Sequence, residues 1–474
     1  MKARVWLALV ASFPACTSPR AGSVASPTPR PARHAGLNVV LVTIDTLRAD
    51  HLGAYGYRRH TSPNIDALAK EGTLFEAAYT FWPKTRGSFV MIHTGRRPSE
   101  NGYSRKHPVL LGFNPTIAGV LKKAGYRTVA VVDNPNVAAQ YGYAEGFERY
   151  RETWEEKALV SEMDRARAIT ADGSHFLESA PPETPFFLWL HYVNPHAPYS
   201  PPPPYDTAFL DAESRAGDRL PVVPDFHGGI PKQWAVPGHD RRGYYVAQYD
   251  GEIAAVDHEV GEVVRALRSS KVGDRTLVIV TSDHGESLGE HDYYFDHGEN
   301  VFDPCLRIPM LIVEPGAAAA RTQTLASTLD LMPTILDAAK VSYPPDLAGS
   351  SLLPVVEGRA AATAERLEAQ NDRDLAASFD HRFKTVRTPT DAGGRFALYD
   401  RREDPGEVHD AGAARADELR VGRREIELFL ERADREWVRT RALIQGRPPE
   451  GEGKMTAGAC EQMKALGYVQ QCAP

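Results

Sequence analysis

Asp283 and His284 stand side by side in the run Thr281-Ser282-Asp283-His284-Gly285-Glu286, directly after the apolar stretch Leu277 to Val280. That stretch is β-branched and lacks alternation, which predicts a strand buried on both faces of a parallel sheet. A second such stretch, Asn38 to Ile44, ends at Asp45-Thr46. Two strands that each present a carboxylate at one sheet edge predict a metal site at the carboxyl end of an open α/β sheet. Helix capping would account for the aspartates but not for an imidazole beside one of them. The third chemical group is Thr85 in Pro83-Lys84-Thr85-Arg86-Gly87-Ser88, just ahead of the apolar helical run Phe89 to Ile92. A hydroxyl at a helix N-terminus sits where the helix dipole favours an oxyanion and an incoming anion. Beside a bound cation such a hydroxyl becomes a nucleophile. Taken alone, Thr85 or Ser88 reads as a cap; together with Asp45, Asp283 and His284, Thr85 reads as the attacking group.

The elements that must position these groups follow an alternating order. Arg127 to Val132, Phe186 to Tyr192 and Ile308 to Val313 read as further strands, and Tyr245 to Leu267 as a long helix. Asn114-Pro115 through Gly125 carries a helix signature, with Asn114 as cap and Pro115 in the first turn. The alternation predicts an α/β fold, a mostly parallel central sheet flanked by helices. Between Pro198 and Gly243 the pattern gives way to Pro, Gly and charged residues, which suits a lid or substrate loop. After about Glu357 the chain turns charged and Arg-rich. Short strands around Ala377 to Val386 and Arg395 to Tyr399, then a helix from Ala416 to Arg435, predict a small C-terminal α+β subdomain over 357–474.

The chain of 474 residues is long enough for a large core, and its net charge of −7 argues against nucleic acid as a partner. Lys2 and Arg4 followed by the apolar run Val5 to Phe13 suggest an export signal over 1–16, for a bacterial periplasm or outer membrane. Ala15-Cys16 resembles a lipobox end, which would make Cys16 a lipid anchor and the one link to a membrane; ordinary cleavage is the alternative. Residues 17–36 read as a Pro/Ser/Ala-rich disordered linker, leaving 37–356 for the catalytic domain. Cys460 and Cys472 could bridge in an oxidising compartment or remain free thiols.

Several motifs occur together in a known order. Ile44-Asp45-Thr46-Leu47-Arg48-Ala49-Asp50, Thr61-Ser62-Pro63-Asn64, His191-Tyr192-Val193-Asn194-Pro195-His196, Ser282-Asp283-His284-Gly285-Glu286, Asp296-His297-Gly298 and Leu398-Tyr399-Asp400 resemble the sulfatase family of the alkaline phosphatase superfamily. The likeness runs from about Leu37 to Val469. It implies an alkaline phosphatase-like sheet and a divalent metal held by Asp45, Asp283 and His284, with Thr46 in the place of a second acidic ligand and Thr85 completing the set. His196 and His297 match positions that contact the transferred group or protonate the leaving oxygen, Arg86 would bind substrate, and His191 reads as packing. The ligand set contains an imidazole, which favours zinc or manganese over the calcium of sulfatases.

The departures from the family decide the chemistry. Sulfatases proper use Cys-x-Pro-Ser-Arg, whose cysteine is oxidised to formylglycine; here the run is Thr85-Arg86-Gly87-Ser88-Phe89. Threonine cannot yield that aldehyde, so no formylglycine is expected. Threonine nucleophiles occur in phosphoryl-transfer branches of the superfamily. A family lysine is replaced near Asp133-Asn134, which would weaken sulfate binding. The resemblance therefore implies an exported metal-dependent hydrolase that cleaves phosphate (less readily sulfate) esters of small molecules, glycans or lipids through Thr85. The alternatives are a phospho-group transferase acting on a periplasmic acceptor, and a noncatalytic surface lipoprotein that binds sulfated or phosphorylated glycans, for which Gly87 and Phe89 are the motive. Asp250, His258 and His291 offer no defensible spacing for a second metal.

Overall fold

The computed structural model describes residues 36–217, 219–359, 364–391, 393–445, 455–469 and 471–472. The signal segment, Cys16 and all but the last residue of the linker lie outside these. Among the described residues no helix is long and apolar enough to cross a membrane.

Eight strands form the central sheet: β1 (Asn38–Ile44), β2 (Thr73–Tyr79), β3 (Arg127–Val132), β4 (Arg149–Glu152), β5 (Phe186–Tyr192), β6 (Thr276–Thr281), β7 (Met310–Val313) and β8 (Ala320–Ser327). Their order is β8-β2-β7-β6-β1-β5-β3-β4. All pairings are parallel except those of β7, which runs antiparallel to both β6 and β2. The apolar run at Ile308 to Val313, expected as a strand, supplies this antiparallel member of the mostly parallel sheet. Burial on both faces gives the same unbroken apolar signature in either orientation, so the run itself could not report direction.

Alternate residues of the central strands serve two cores. Val39, Leu41, Phe187, Trp189, Leu277 and Ile279 face helices α1 (Thr85–Thr94), α2 (Ile117–Lys123) and α5 (Leu331–Ala338). Val40, Val42, Leu188, Leu190, Val278 and Val280 face α3 (Glu162–Ser179) and α4 (Arg242–Ser269). This is the doubly covered sheet that continuous apolar strands require. The cap of α2 corrects the sequence reading. Thr116, not Asn114, accepts the backbone N–H of Gly119, and the helix begins at Ile117. Asn114 instead donates its amide to the Asn101 and Leu111 carbonyls, a tertiary use that its capping propensity does not reveal.

A second, four-stranded antiparallel sheet follows: β9 (Leu367–Gln370), β10 (Ala376–Phe379), β11 (Phe383–Thr388) and β12 (Arg395–Asp400). With α6 (Ala416–Ile444) it forms a small C-terminal subdomain, and Ile426, Phe429 and Ile444 of α6 join the core that covers one face of the main sheet. The chain closes with α7 (Ala457–Ala465) and a Cys460–Cys472 disulfide, while Cys305 is free and buried. Among the described residues of 198–241, regular structure is limited to a short helix at Tyr205–Ala208 and a ladder between Val222–Val223 and Ile230–Pro231.

Candidate active site

The parallel register builds the site. Thr43 of β1 pairs with Thr281 of β6, Ile44 pairs with Tyr192 of β5, and His191 pairs with Val132 of β3. Four neighbouring strands thus end level, and the residues just beyond them meet: Asp45-Thr46, Asp283-His284, His196 and Asn134. Asp45, Asp283 and His284 are fully buried, and one ligand atom from each lies within 4.8 Å of the others. His284 Nε2 is 3.3 Å from Asp283 Oδ2 and 3.7 Å from Asp45 Oδ1.

The donor set fits a cation on observations of its own. Asp45 Oδ1, Asp283 Oδ2, Thr46 Oγ1 and both carboxylate oxygens of Glu286 are buried without a hydrogen-bond partner. Unsatisfied buried oxygens of this kind are costly unless a positive charge is present. Burial and the facing Asp283 carboxyl hold the Asp45 carboxyl well above the ordinary carboxylate range, and burial raises Asp283 as well. His284 Nδ1 lies 2.9 Å from the Gly285 carbonyl, so it carries the proton and leaves Nε2 as a lone pair facing the carboxylates. Burial pushes the His284 imidazole down to about 3, so it is neutral near pH 7. Thr46 adopts φ 54°, a left-handed conformation uncommon for a β-branched residue, and its carbonyl accepts from the Tyr249 hydroxyl at 2.8 Å.

Thr85 is the first residue of α1, buried, with Oγ1 3.1 Å from His284 Nε2. Ser88 is not a cap: its hydroxyl donates to the Asp283 carbonyl at 2.7 Å and ties α1 to the ligand loop. Gly87 and Phe89, the motive for a noncatalytic alternative, have structural reasons. A Cβ on Gly87 would lie 2.4 Å from the Trp82 ring, and Phe89 wedges against Trp189 and His191. His191 is fully buried, with Nδ1 3.0 Å from Thr43 Oγ1 and Nε2 3.8 Å from Asp45 Oδ2.

His196 and His297 face the same space, with ring centroids 5.1 Å apart, and His297 lies 4.2 Å from the His284 ring. His196 Nδ1 is 2.6 Å from the Ala197 carbonyl, which directs Nε2 inward. Burial lowers His196 to about 4, and burial together with the neighbouring His284 and His196 imidazoles takes His297 well below its ordinary value. The guanidinium of Arg86 donates to Asn136 at 3.0 Å and lies over the Tyr141 ring. Asp250 is bound by His51, Tyr57 and Arg59, His258 is on the surface, and His291 stacks on Phe302.

Sequence reasoning missed three participants. Glu286 is fully buried, 3.5 Å from His297 Nδ1, although it stands in the motif already quoted. Asn134 donates its amide to Asp45, while the neighbouring Asp133 is taken up by Arg165. Tyr468, from the C-terminal segment, places its hydroxyl 3.4 Å from Thr85 Oγ1 and 2.8 Å from His196 Nε2. No local pattern marks Tyr468; its position between two bridged cysteines is the only hint.

Residues 37–341 match the Sulfatase family model, and residues 289–421 match a model described as N-sulphoglucosamine sulphohydrolase, C-terminal. The chain is 28% identical to an uncharacterized sulfatase of Escherichia coli over 415 residues, covering 79% of this chain and 82% of that protein. It is 26% identical to an arylsulfatase of Clostridium perfringens over 380 residues, covering 68% and 79%. The structure of a phosphonate monoester hydrolase of Agrobacterium radiobacter superposes with a TM-score of 0.69 at 21% identity, covering 84% of this chain and 96% of that one, a likeness of fold.

Proposed function

Because this chain belongs to the sulfatase family, we propose that it is a metal-dependent ester hydrolase whose nucleophile is Thr85, with phosphate esters preferred to sulfate esters. The observation that carries this reading is the 3.1 Å approach of Thr85 Oγ1 to His284 Nε2 beside the buried Asp45–Asp283–His284 cluster. Asp45, Asp283 and His284 would hold the cation, with Thr46 and Thr85 at its margin. The imidazole favours zinc or manganese over calcium. A divalent ion bound there supplies positive charge opposite the transferring group.

The chain's own residues supply the rest. The N-terminus of α1 points its free N–H groups at the transferred group. As the Thr85 oxygen attacks phosphorus in line its proton passes to Nε2 of His196 or His297, the bond to the leaving oxygen breaks, and that imidazole delivers the proton to the departing oxygen. Water then hydrolyses the threonine ester and restores Thr85. A threonine side chain cannot become formylglycine, so a sulfatase aldehyde-hydrate cycle is not open to it. Substrates are anionic esters of small molecules or glycans, in keeping with the glycan sulfatases among the relatives, such as the N-acetylglucosamine-6-O-sulfatase of Bacteroides thetaiotaomicron. The N-terminal sequence supports export, with Cys16 as the candidate anchor.

The test pairs aryl phosphate monoester, aryl phosphodiester and aryl sulfate with metal-reconstituted protein, using Thr85→Ala as control. Phosphoester turnover that falls at least ~10³-fold in the variant is expected. Turnover that survives in Thr85→Ala, or no turnover of any ester, would sink the reading.

A further inference from the structure

The hydroxyl of Tyr468 lies within hydrogen-bond reach of three groups assigned to catalysis: Thr85 Oγ1 at 3.4 Å, His196 Nε2 at 2.8 Å and His297 Nε2 at 3.4 Å. A tetrahedral group delivered to Thr85 must place an oxygen at or beside that point, because its central atom has to approach Oγ1 while its oxygens meet the two imidazoles.

The segment that carries this phenol is built to hold it there. α7 is capped by Thr456, whose hydroxyl accepts the Ala459 N–H at 3.1 Å. Its buried Gln462 donates to Asp133 at 3.1 Å, on the loop that also supplies Asn134 to Asp45. The helix then stops at Gly467, φ +77°, where the Tyr468 N–H returns to the Met463 carbonyl at 2.8 Å. This left-handed turn aims the side chain into the site. A Cβ on Gly467 would lie 2.5 Å from the Trp234 ring, so the turn is packed against the 198–243 insertion as well. The Cys460–Cys472 disulfide ties the segment together on either side of the tyrosine. Helix, turn, bridge and packing all fix one phenol, which is the construction expected of a working side chain rather than a loose tail.

We propose that Tyr468 is a further catalytic residue of this site, donating its phenolic hydrogen bond to an oxygen of the group transferred to Thr85. The inference rests on the assignment of Thr85 as nucleophile. In the free protein the O–H is directed at His196 Nε2, whose other nitrogen is committed to the Ala197 carbonyl. An arriving anionic oxygen offers a stronger acceptor, and the phenol, neutral at pH 7, turns its proton to it. Because charge on that oxygen shifts during transfer, the contact acts on kcat more than on KM.

The test compares full-length, metal-reconstituted wild type with Tyr468→Phe, which keeps the ring, and Tyr468→Ala. Two readouts are taken: kcat and KM on the best aryl phosphoester, and inorganic phosphate affinity by calorimetry. Tyr468→Phe is expected to lower kcat/KM roughly 10- to 100-fold, mostly through kcat, and to weaken phosphate binding roughly tenfold. An unchanged Tyr468→Phe on both readouts overturns the proposal. So does a gain in both for Tyr468→Ala, which would make the phenol a plug that substrate must displace. If wild type turns over no ester yet phosphate binding weakens in Tyr468→Phe, the anion contact stands and the hydrolase reading fails. If wild type binds no phosphate, the Tyr468 proposal is overturned directly.

Discussion

Among the described residues, two of the clusters of buried charge are constructed in opposite ways. At the end of β1 and β6, Asp45, Asp283 and Glu286 bring three carboxyl groups together. Among the described residues no lysine or arginine pairs with any of them, and the neighbouring histidines are held neutral by burial. At the edge of the C-terminal sheet, Asp303 and Glu407 meet Lys384, whose side chain is wholly buried, and Arg401. There Lys384 Nζ lies 2.6 Å from Glu407, it also pairs with Asp303, and Arg401 reaches Asp303 at 3.2 Å. Two cations face two carboxylates, and the knot is neutral without help. The difference separates a site from a strut: the first cluster is able to hold a cation, and the second is paired on folding. The strut also serves the site, because Asp303 opens the short helix whose Cys305 carbonyl accepts the Gly285 N–H at 2.9 Å.

The comparison breaks most visibly at Lys384. Lys384→Met leaves two buried carboxylates short of their partner, and urea denaturation should show a loss of about 3–5 kcal/mol. A loss under about 1 kcal/mol would mean that the knot relaxes into water and is no strut. The metal cluster should behave in the reverse sense. Asp283→Asn removes one of several facing carboxyls, so metal-free protein should keep its stability within about 0.5 kcal/mol or gain. Wild type, however, should gain about 2.7 kcal/mol from a divalent ion at a hundred times its dissociation constant, and the variant should not. Thermal melts with and without zinc, manganese or calcium give both numbers, and an equal shift in wild type and variant would place the ion elsewhere. The smallest effect is on acid stability. Burial alone would raise the Asp303 carboxyl, but Lys384 and Arg401 overcome it and hold it below its usual 3.8, at about 2. A depressed carboxyl contributes stability that is present above the unfolded value and lost as pH falls through the folded one. Wild type should therefore lose melting temperature between about pH 4 and pH 2 more steeply than Lys384→Met; parallel curves would remove Asp303 from the account.

Much of this was legible in the chain. β1, β3, β5 and β6 and the residues beyond them followed from short apolar runs that end in acidic or imidazole side chains, a pattern written within a few neighbouring positions. Thr85 at the head of α1 was readable for the same reason. The direction of β7 was not, since a run buried on both faces carries no sign of its orientation. The cap of α2 moved from Asn114 to Thr116 because Asn114 had a partner in the Asn101 carbonyl, far outside any local window.

What the sequence alone determined is which side chains stand where the strands end, Asp45, Asp283 and His284, with Thr85 at the head of α1, and the sheet edge at which they meet. Those features are local, and strand periodicity with parallel pairing fixes which end of each strand they occupy. Tertiary structure decided what surrounds them. Tyr468 reaches Thr85 across 383 positions of chain, and Lys384 reaches Asp303 across 81. Contacts of that span leave no periodic trace, because they depend on how whole elements pack rather than on the propensity of any residue in them. Whether a buried carboxylate is a ligand or part of a neutral knot is settled by its neighbours in space, and only the folded chain supplies those.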